Sequence, residues 1–319
     1  MRIAVLGAGG DHKTEASIVR AARSLGHDCR LVNIVGWRRC AGPVAGRIVR
    51  YLTDAFQPDF LLFTRHTIEL GDAAVKGLLQ GRPAAFWYFD PEPKEIVVRL
   101  GQLVGRMYVT YLGQVEGYRA AGVDQVDFLP QGVDPERDAP ADSAPREYQC
   151  DTSFVGSGHS RYRDDVLRAV AAVSRLQIRG PGWSDAPSDL PVVGGPVHGN
   201  RLAQVIRGSA ISLGASSHPS QDSERFSASN RMWKILGFGG FYLGRHVEGI
   251  ESFAADALHC AWYRDAEQAA ELTSHYLARP EERERIAREG RTHALAHHTY
   301  AHRLALLLDG KGYPLPTIL

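Results

Sequence analysis

Short apolar runs alternate with helix-length segments along this chain of 319 residues. Strands that alternate with helices favour parallel βαβ units, because a parallel strand pair needs a long crossover connection. In such sheets ligands bind beyond the carboxyl ends of the strands. The sequence therefore predicts an α/β protein with doubly wound sheets. The predicted strands of the first half are residues 2–6, 29–33, 60–64, 84–89, 107–110 and 126–129.

A change of composition divides the chain near residue 140. Residues 136–147 contain prolines and alternating charges without apolar periodicity, which is typical of a linker. A new strand at residues 150–155 and a Gly-Ser-Gly turn then lead into a helix with regularly spaced apolar residues. The predicted domains are residues 1–140 and 141–298, followed by a helix and tail at 299–319 that cross back to the first domain.

The glycine-rich turn after the first strand lacks the complete dinucleotide fingerprint. His12 stands where the third glycine is required. Asn33 ends the second strand, where an NAD-dependent enzyme has the carboxylate that binds the ribose. The sequence therefore argues against an NAD-dependent dehydrogenase, although Gly9 and Gly10 still let backbone amides approach an anion.

Charge and cysteine content argue against several classes of partner. The 37 basic and 36 acidic residues give no overall basic field for nucleic acid or a membrane surface. No apolar run approaches the roughly 20 residues that span a bilayer. The 4 cysteines include no C-x-x-C pair that would indicate zinc or a disulfide framework. We expect a cytoplasmic protein without a transmembrane segment or a nucleic-acid partner.

Four histidines near the end of the chain form two pairs at helical spacing, His293 with His297 and His298 with His302. The two pairs are offset by five residues and therefore do not share one helix face. No nearby carboxylate completes either pair as a ligand set. We therefore expect no metal site.

Residues 227–253 combine a polar helix start, a glycine-rich break and an apolar strand. Ser227, Ser229 and Asn230 favour a helix start, because their side chains accept hydrogen bonds from unpaired first-turn N–H groups. A helix N-terminus binds phosphate well, and Arg231 and Lys234 add positive charge beside it. The stretch predicts a phosphate pocket. An ordinary αβ unit with both basic residues on a solvated face is the alternative.

Several short motifs of the second half occur in a characteristic order. They occupy residues 154–158, 226–227, 231–234, 236–240, 247–253, 262–265 and 298–303. This set resembles the nucleotide-sugar domain of CgeB-like glycosyltransferases, which have the GT-B fold. The resemblance implies two Rossmann-like domains with an interdomain cleft. It also implies hexosyl transfer from a nucleotide-diphosphate-sugar co-substrate to a small-molecule, glycan or protein acceptor, without another cofactor.

The resemblance and the glycine turns together suggest a set of donor-binding residues. Trp183 follows a strand and would lie beside the nucleotide base, or would simply cover the sheet edge. Arg161 or Arg163 would supply charge next to the Gly-Ser-Gly turn. The candidates are Gly9, Gly10, Gly156, Ser157, Arg161, Trp183, Ser227, Ser229, Asn230, Arg231, Lys234 and Glu248.

One position departs from the pattern of GT-B donor domains. Lys234 stands where many of them have a glutamate that binds the ribose hydroxyls, and a lysine offers no acceptor. Three explanations stay open: Lys234 contacts phosphate, Glu224 or Glu248 supplies the carboxylate, or the donor site has decayed. The polar loop at residues 215–225 is placed to close over a donor, with disorder in the absence of a ligand as the competing view.

Asp11, His12 and Asp90 follow predicted strands of the first domain and are candidates for the base that activates the acceptor. An inverting reaction needs such a base, whereas a retaining reaction does not. The alternatives are a solvated loop in which Asp11 caps a helix, and a turn in which Asp90 bonds its own backbone. Two other functions also stay open: a non-catalytic nucleotide- or sugar-binding homologue, and a nucleotide-sugar epimerase or hydrolase.

Overall fold

The computed structural model describes residues 1–90, 94–216 and 226–315. The chain forms two compact units, one made of Met1–Gln131 with Tyr300–Leu319 and the other of Gly132–Thr299. The chain thus passes from the first unit to the second several residues before the predicted boundary near residue 140. The helix at Tyr300–Leu308 belongs to the first unit, and it packs on the helix that follows the first strand.

The first unit is built on a parallel six-stranded sheet in the order β2-β1-β3-β4-β5-β6. Each strand begins and ends within one residue of its predicted position. The strands are β1 (Arg2–Gly7), β2 (Asp28–Asn33), β3 (Phe60–Phe63), β4 (Ala84–Tyr88), β5 (Arg106–Val109) and β6 (Gln125–Phe128). The helices are α1 (Thr14–Ser24), α2 (Ile34–Ala41), α3 (Ala45–Phe56), α4 (Asp72–Leu79), α5 (Glu95–Val104) and α6 (Val115–Ala120).

The second unit has a parallel six-stranded sheet in the order β12-β11-β10-β7-β8-β9. Its strands are β7 (Cys150–Val155), β8 (Leu176–Arg179), β9 (Val192–Gly194), β10 (Ser209–Leu213), β11 (Tyr242–Arg245) and β12 (Ala261–Tyr263). Its helices are α7 (Arg161–Val173), α8 (Asn200–Gly208), α9 (Asn230–Gly237), α10 (Ala266–Leu277) and α11 (Pro280–His297). The helix α12 (Tyr300–Leu308) ends the chain in the first unit.

Both sheets bury apolar residues against helices, and the central strands are the most apolar. Ile3, Val5 and Leu62 are fully buried in the first unit, and Phe154 and Leu243 are fully buried in the second. Strands buried on both faces read as continuous apolar runs, which is why pattern alone located them. The α/β fold with two doubly wound units, as predicted, is confirmed.

The strand order of the second sheet reverses between β7 and β10. The chain runs outward from β7 to β9, and then from β10 to β12 on the other side. Loops that leave the carboxyl ends of these two neighbouring strands therefore diverge and leave a crevice. The topology places a ligand site beside residues that follow β7 and residues that follow β10.

Candidate functional site

A pocket of about 240 Å³ lies at this reversal point. Its lining comes from the end of β7 and the turn after it, the turns after β8 and β9, one face of α8, Ser212 of β10 and the first turns of α9. Gly156, Ser157, Asn230, Arg231 and Lys234 are all among the lining residues. The structure therefore brings together five of the predicted donor-binding residues from two separate segments.

The first turn of α9, which lines this pocket, includes a buried side-chain acceptor without a partner among the described residues. Ser229 is the N-cap, and its hydroxyl accepts a hydrogen bond from the Met232 amide at 3.3 Å. The side-chain oxygen Oδ1 of Asn230 is buried and has no hydrogen-bond partner among the described residues. A buried amide oxygen left unpaired is costly. A ligand with a hydroxyl or N–H group would satisfy it.

Arg231 lies across the end of β7. Its Nε donates to the Val155 carbonyl at 2.7 Å and its Nη1 donates to the Ala215 carbonyl at 3.2 Å. The guanidinium carbon is 4.5 Å from the centre of the Phe154 ring. These contacts fix a positive charge on the wall of the pocket, next to the N-terminus of α9.

A second arginine, Arg163, lies behind the first and is almost fully buried. It donates to the carbonyls of Ser157 and Gly158 and thereby holds the turn after β7 in place. Burial, together with the charge of Arg231, lowers the pKa of Arg163 to about 10. Two guanidinium groups so close together make this corner of the sheet attractive to an anion.

The structure separates the two arginines that were considered as charge donors beside this turn. Arg161 is exposed at the first position of α7, and neither Arg161 nor Arg163 is among the residues that line the pocket. The two side chains are two positions apart on the helix and therefore point in nearly opposite directions. Only Arg163 bonds the turn after β7, and a donor-binding role for Arg161 stays a prediction.

The glycine amides are less available to an anion than the sequence suggested. The Gly156 amide donates to the Arg179 carbonyl at 3.0 Å, and the Gly158 amide donates to the Pro181 carbonyl at 2.9 Å. The third amide of this turn, that of Ser157, donates no hydrogen bond to a backbone carbonyl of the described residues. The expectation that the whole turn offers amides to a phosphate is therefore corrected to Ser157 alone.

Trp183 is buried in the core beneath the same turn. Its indole N–H donates to the Gly156 carbonyl at 2.8 Å, and its ring meets the Phe154 ring edge to face. Only 6% of the residue is exposed. This geometry agrees with the structural alternative for Trp183, in which the ring supports the sheet rather than stacking on a nucleotide base.

Gly156 is needed for this arrangement because a side chain there would collide with its neighbours. A Cβ atom on Gly156 would strike the Arg231 guanidinium and would lie 2.8 Å from the Phe154 ring. We expect Gly156→Ala to displace Arg231 and to weaken binding of an anionic ligand about tenfold, the value of one charge-assisted hydrogen bond. Calorimetric titration with a nucleoside diphosphate would measure this. Gly195→Ala is the control, since its Cβ would meet open space; equal affinities for both variants would contradict the assignment.

Lys234 lines the pocket but is engaged by a buried carboxylate. Its Nζ is 2.7 Å from Oδ1 of Asp138, whose side chain is only 2% exposed. Burial raises the pKa of Asp138, while the charge and hydrogen bond of Lys234 oppose this shift. Asp138 thus holds Lys234 in place, and each side chain neutralises the charge of the other. The sequence did not identify Asp138 as part of this region.

Three other predicted residues, Ser227, Ser229 and Glu248, are not among the residues that line the pocket. Ser227 precedes the N-cap of α9, and Glu248 is exposed in the turn after β11, where its carbonyl accepts the Phe226 amide at 2.7 Å. Glu224 and most of the loop predicted at residues 215–225 fall within 217–225, which lie outside the described residues.

The histidines gather at the end of α11, against Trp233 of α9, in an arrangement that the sequence did not indicate. His293 and His298 approach to 3.2 Å through their Nε2 atoms, although their spacing suggested different faces. His259 stacks on His293 with ring centres 4.0 Å apart, and His298 stacks on Trp233. Burial lowers the pKa of both His259 and His293. Within residues 1–90, 94–216 and 226–315 no group of three potential ligands forms a metal site.

In the first unit, the loop after β1 is held by side chains. The Ala8 amide donates to Oε1 of the buried Glu15 at 3.1 Å, and the Gly9 amide donates to Oδ1 of Asn33 at 2.8 Å. The Gly9 amide is therefore already bonded, which corrects the expectation that it binds an anion. Gly10 has a φ of +128°, a conformation that suits glycine, and the loop turns there.

The three candidate bases follow strands β1 and β4 of that sheet. Asp11 is exposed and pairs with Arg20 at 2.8 Å, and His12 is exposed beside it. The Asp90 carboxylate forms an ion pair with Arg65 at 2.7 Å, so its contacts are not confined to the backbone of its own turn. Their catalytic role stays a prediction.

Comparison with known proteins finds a family similarity over most of the second unit and the helix α12. Residues 163–309 match the glycosyl transferase-like family. This match covers slightly less than half of the chain. It agrees with the prediction of a glycosyltransferase at the level of the family, and the CgeB-like subgroup stays a prediction. No curated protein matches the chain.

Solved structures show the same two-unit fold. An α-glucosyltransferase in complex with UDP has a TM-score of 0.72 at 11% identity, over 97% of this chain and 99% of that one. Anabaena HepE in complex with UDP-glucose has a TM-score of 0.67 at 11% identity, over 97% and 100%. Sucrose-phosphate synthase from Thermosynechococcus elongatus has a TM-score of 0.66 at 12% identity, over 97% and 98%. The chain therefore has the GT-B fold of these glycosyltransferases.

Proposed function

We propose that this protein transfers a hexosyl group from a nucleoside-diphosphate sugar to an acceptor. The single observation that carries the proposal is the corner where α9 meets β7. There Arg231, with its charge held in place, the N-terminus of α9 and Asn230, whose Oδ1 is buried without a partner among the described residues, all line one pocket. A diphosphate linked to hydroxyl-bearing sugars matches both needs, because it supplies negative charge and hydrogen-bond donors.

The chemistry that this corner supports is stabilisation of a leaving diphosphate. When the bond between the anomeric carbon and the phosphate oxygen breaks, charge grows on that oxygen, and preorganised donors lower the barrier most at that moment. Arg231 and the N-terminus of α9 provide such charge, whereas the Lys234 ammonium is paired with Asp138. Asp11, His12 and Asp90 are the candidates for the base that takes the proton of the acceptor hydroxyl.

The fold and the family match support this proposal, and the neighbours point to uridine nucleotides as the first donors to test. Two of those neighbours were solved with UDP or UDP-glucose. More specifically, we propose that the protein is a CgeB-like glycosyltransferase that acts in the cytoplasm. The 4 cysteines form no disulfide, which fits a reducing compartment.

Calorimetric titration with UDP-glucose, GDP-glucose and ADP-glucose tests the proposal. We expect one nucleotide series to bind, and we expect Asn230→Ala to weaken that binding about tenfold because a hydrogen bond to a buried amide oxygen is lost. Asn200→Ala is the matched control, since Asn200 also occupies the first position of a helix but is exposed. Absence of binding by every nucleotide sugar, or equal loss in both variants, would overturn the assignment.

Incubation with the bound donor separates transfer from the other chemistries. A transferase converts the donor only when an acceptor is present, apart from slow hydrolysis, whereas an epimerase or a hydrolase consumes it alone. Proton NMR of the anomeric region would follow the donor directly. Rapid conversion without any acceptor would replace the transferase by one of these enzymes.

A further inference from the structure

The helices α2 and α3 and the turn between them carry exposed apolar and exposed basic side chains. Tyr51 is 72% exposed and Val44 is 49% exposed. Exposed arginines lie close to them in sequence. We call this the α2–α3 surface, and it consists of Val35, Arg38, Arg39, Val44, Arg47 and Tyr51.

The helical phase of α3 explains why these residues face outward. Its inner face buries Ala45 and Val49 completely, so the first unit already has its core contacts on that side. Val44, Arg47 and Tyr51 follow one another at intervals of three and four residues, which places them on the opposite face. The apolar groups of the α2–α3 surface are therefore additional to those that hold the fold together.

The charge of this segment differs from that of the whole protein. Residues 34–53 contain 4 arginines and no acidic residue, although the whole chain has a net charge of only +1. Arg50 is 3.5 Å from Asp54, but Arg38, Arg39 and Arg47 form no ion pair with any described residue. The surface thus offers uncompensated positive charge interleaved with apolar groups.

Its position links the α2–α3 surface to the loop that carries Asp11 and His12. Asn33 ends β2 and caps α2 by accepting the Gly36 amide at 2.9 Å. The same Asn33 oxygen also accepts the Gly9 amide. The helix α2 therefore starts at the carboxyl edge of the first sheet, where a ligand of that unit is expected to bind.

We propose that the α2–α3 surface docks the protein on an anionic lipid bilayer. Arginines attract acidic headgroups, and a tyrosine with neighbouring valines inserts at the level where headgroups meet acyl chains. No helix of the described residues is long and apolar enough to cross a membrane, so the contact is peripheral. Docking through this surface brings the first unit's carboxyl edge next to acceptors held in the membrane.

Co-sedimentation of the full chain with vesicles tests the proposal. We expect binding to vesicles of phosphatidylcholine with phosphatidylglycerol, weakening as salt is raised, and little binding to phosphatidylcholine alone. Arginines near an anionic surface contribute about fivefold each, so the combined variant Arg38→Ala, Arg39→Ala, Arg47→Ala is expected to lower the partition coefficient about 100-fold. Tyr51→Ser is expected to lower the binding that persists at high salt about fivefold.

A control variant separates local docking from general charge. Arg99→Ala, Arg201→Ala and Arg288→Ala together remove the same charge from exposed helical positions elsewhere. We expect this variant to bind like the wild type, with circular dichroism confirming that both triple variants are folded. Equal losses in the two triple variants, equal binding to neutral vesicles, or sedimentation without vesicles through self-association would each overturn the proposal.

Discussion

Replacement of Arg231 by alanine is expected to weaken binding of the nucleoside diphosphate about 100-fold. The guanidinium is oriented by two backbone carbonyls and by the Phe154 ring, so its positive charge is held at a fixed place on the pocket wall. Hydrogen bonds to charged groups contribute about 1.5 to 3 kcal/mol each, and the loss of one or two gives this factor. Transfer would slow further, because charge on the diphosphate grows in the transition state.

Two further variants show whether the effect belongs to this guanidinium. Arg231→Lys keeps the charge but loses the planar fork, and we expect an intermediate affinity. Arg168→Ala removes an exposed arginine that pairs with Asp189 at 2.7 Å, and we expect unchanged affinity. Titration calorimetry with UDP, or with whichever diphosphate the wild type binds, gives the three constants. If Arg231→Ala binds the diphosphate as tightly as Arg168→Ala, the donor pocket lies elsewhere.

The framework of the fold follows from local sequence signals. Strands buried on both faces carry apolar runs, so their positions could be predicted to within a residue or two, and helix α9 starts at a serine cap as its sequence indicates. The helix α2 was not identified, because its eight residues include two adjacent arginines and a glycine and bury only Ile34. Sequence patterns that predict a buried core do not detect a helix whose apolar and basic residues face outward.

The details of the candidate site depend on contacts between distant parts of the chain. Gly9 looked available for an anion, but its amide is bonded to a side chain 24 residues away. Asp138 likewise pairs with a side chain that is distant in sequence, Lys234, which lies 96 residues further along the chain. No spacing rule relates such positions, since the contact exists only after the strands have paired. Residues of the right chemical type could be named from the sequence, but their hydrogen-bond partners could not.

Lys234→Met is expected to cost the second unit about 3 to 5 kcal/mol of stability at neutral pH, because it leaves the buried Asp138 charged and unpaired. Lys311→Met is the control. Lys311 also pairs with an aspartate, at 3.1 Å, but both side chains are exposed, and such pairs contribute at most about 1 kcal/mol. Urea denaturation followed by circular dichroism would compare the two variants with the wild type.

The pH dependence of this loss identifies Asp138 as its source. Burial already raises the pKa of Asp138, and removal of the lysine charge raises it further. An acid with a raised folded pKa stabilises the fold below its unfolded pKa, and this contribution is lost as pH rises through the folded value. The Lys234→Met variant should therefore be most destabilised at neutral pH and should recover toward about pH 4, where the carboxyl is protonated.

The double variant Lys234→Met, Asp138→Asn completes the test. Asparagine at position 138 keeps an acceptor for the Asp134 amide, which donates to Oδ2 at 2.9 Å, but it carries no charge to leave unpaired. We expect the double variant to regain most of the lost stability and to lose the pH dependence. If it is as unstable as Lys234→Met, the lysine supports the fold through the packing of its chain rather than through the ion pair.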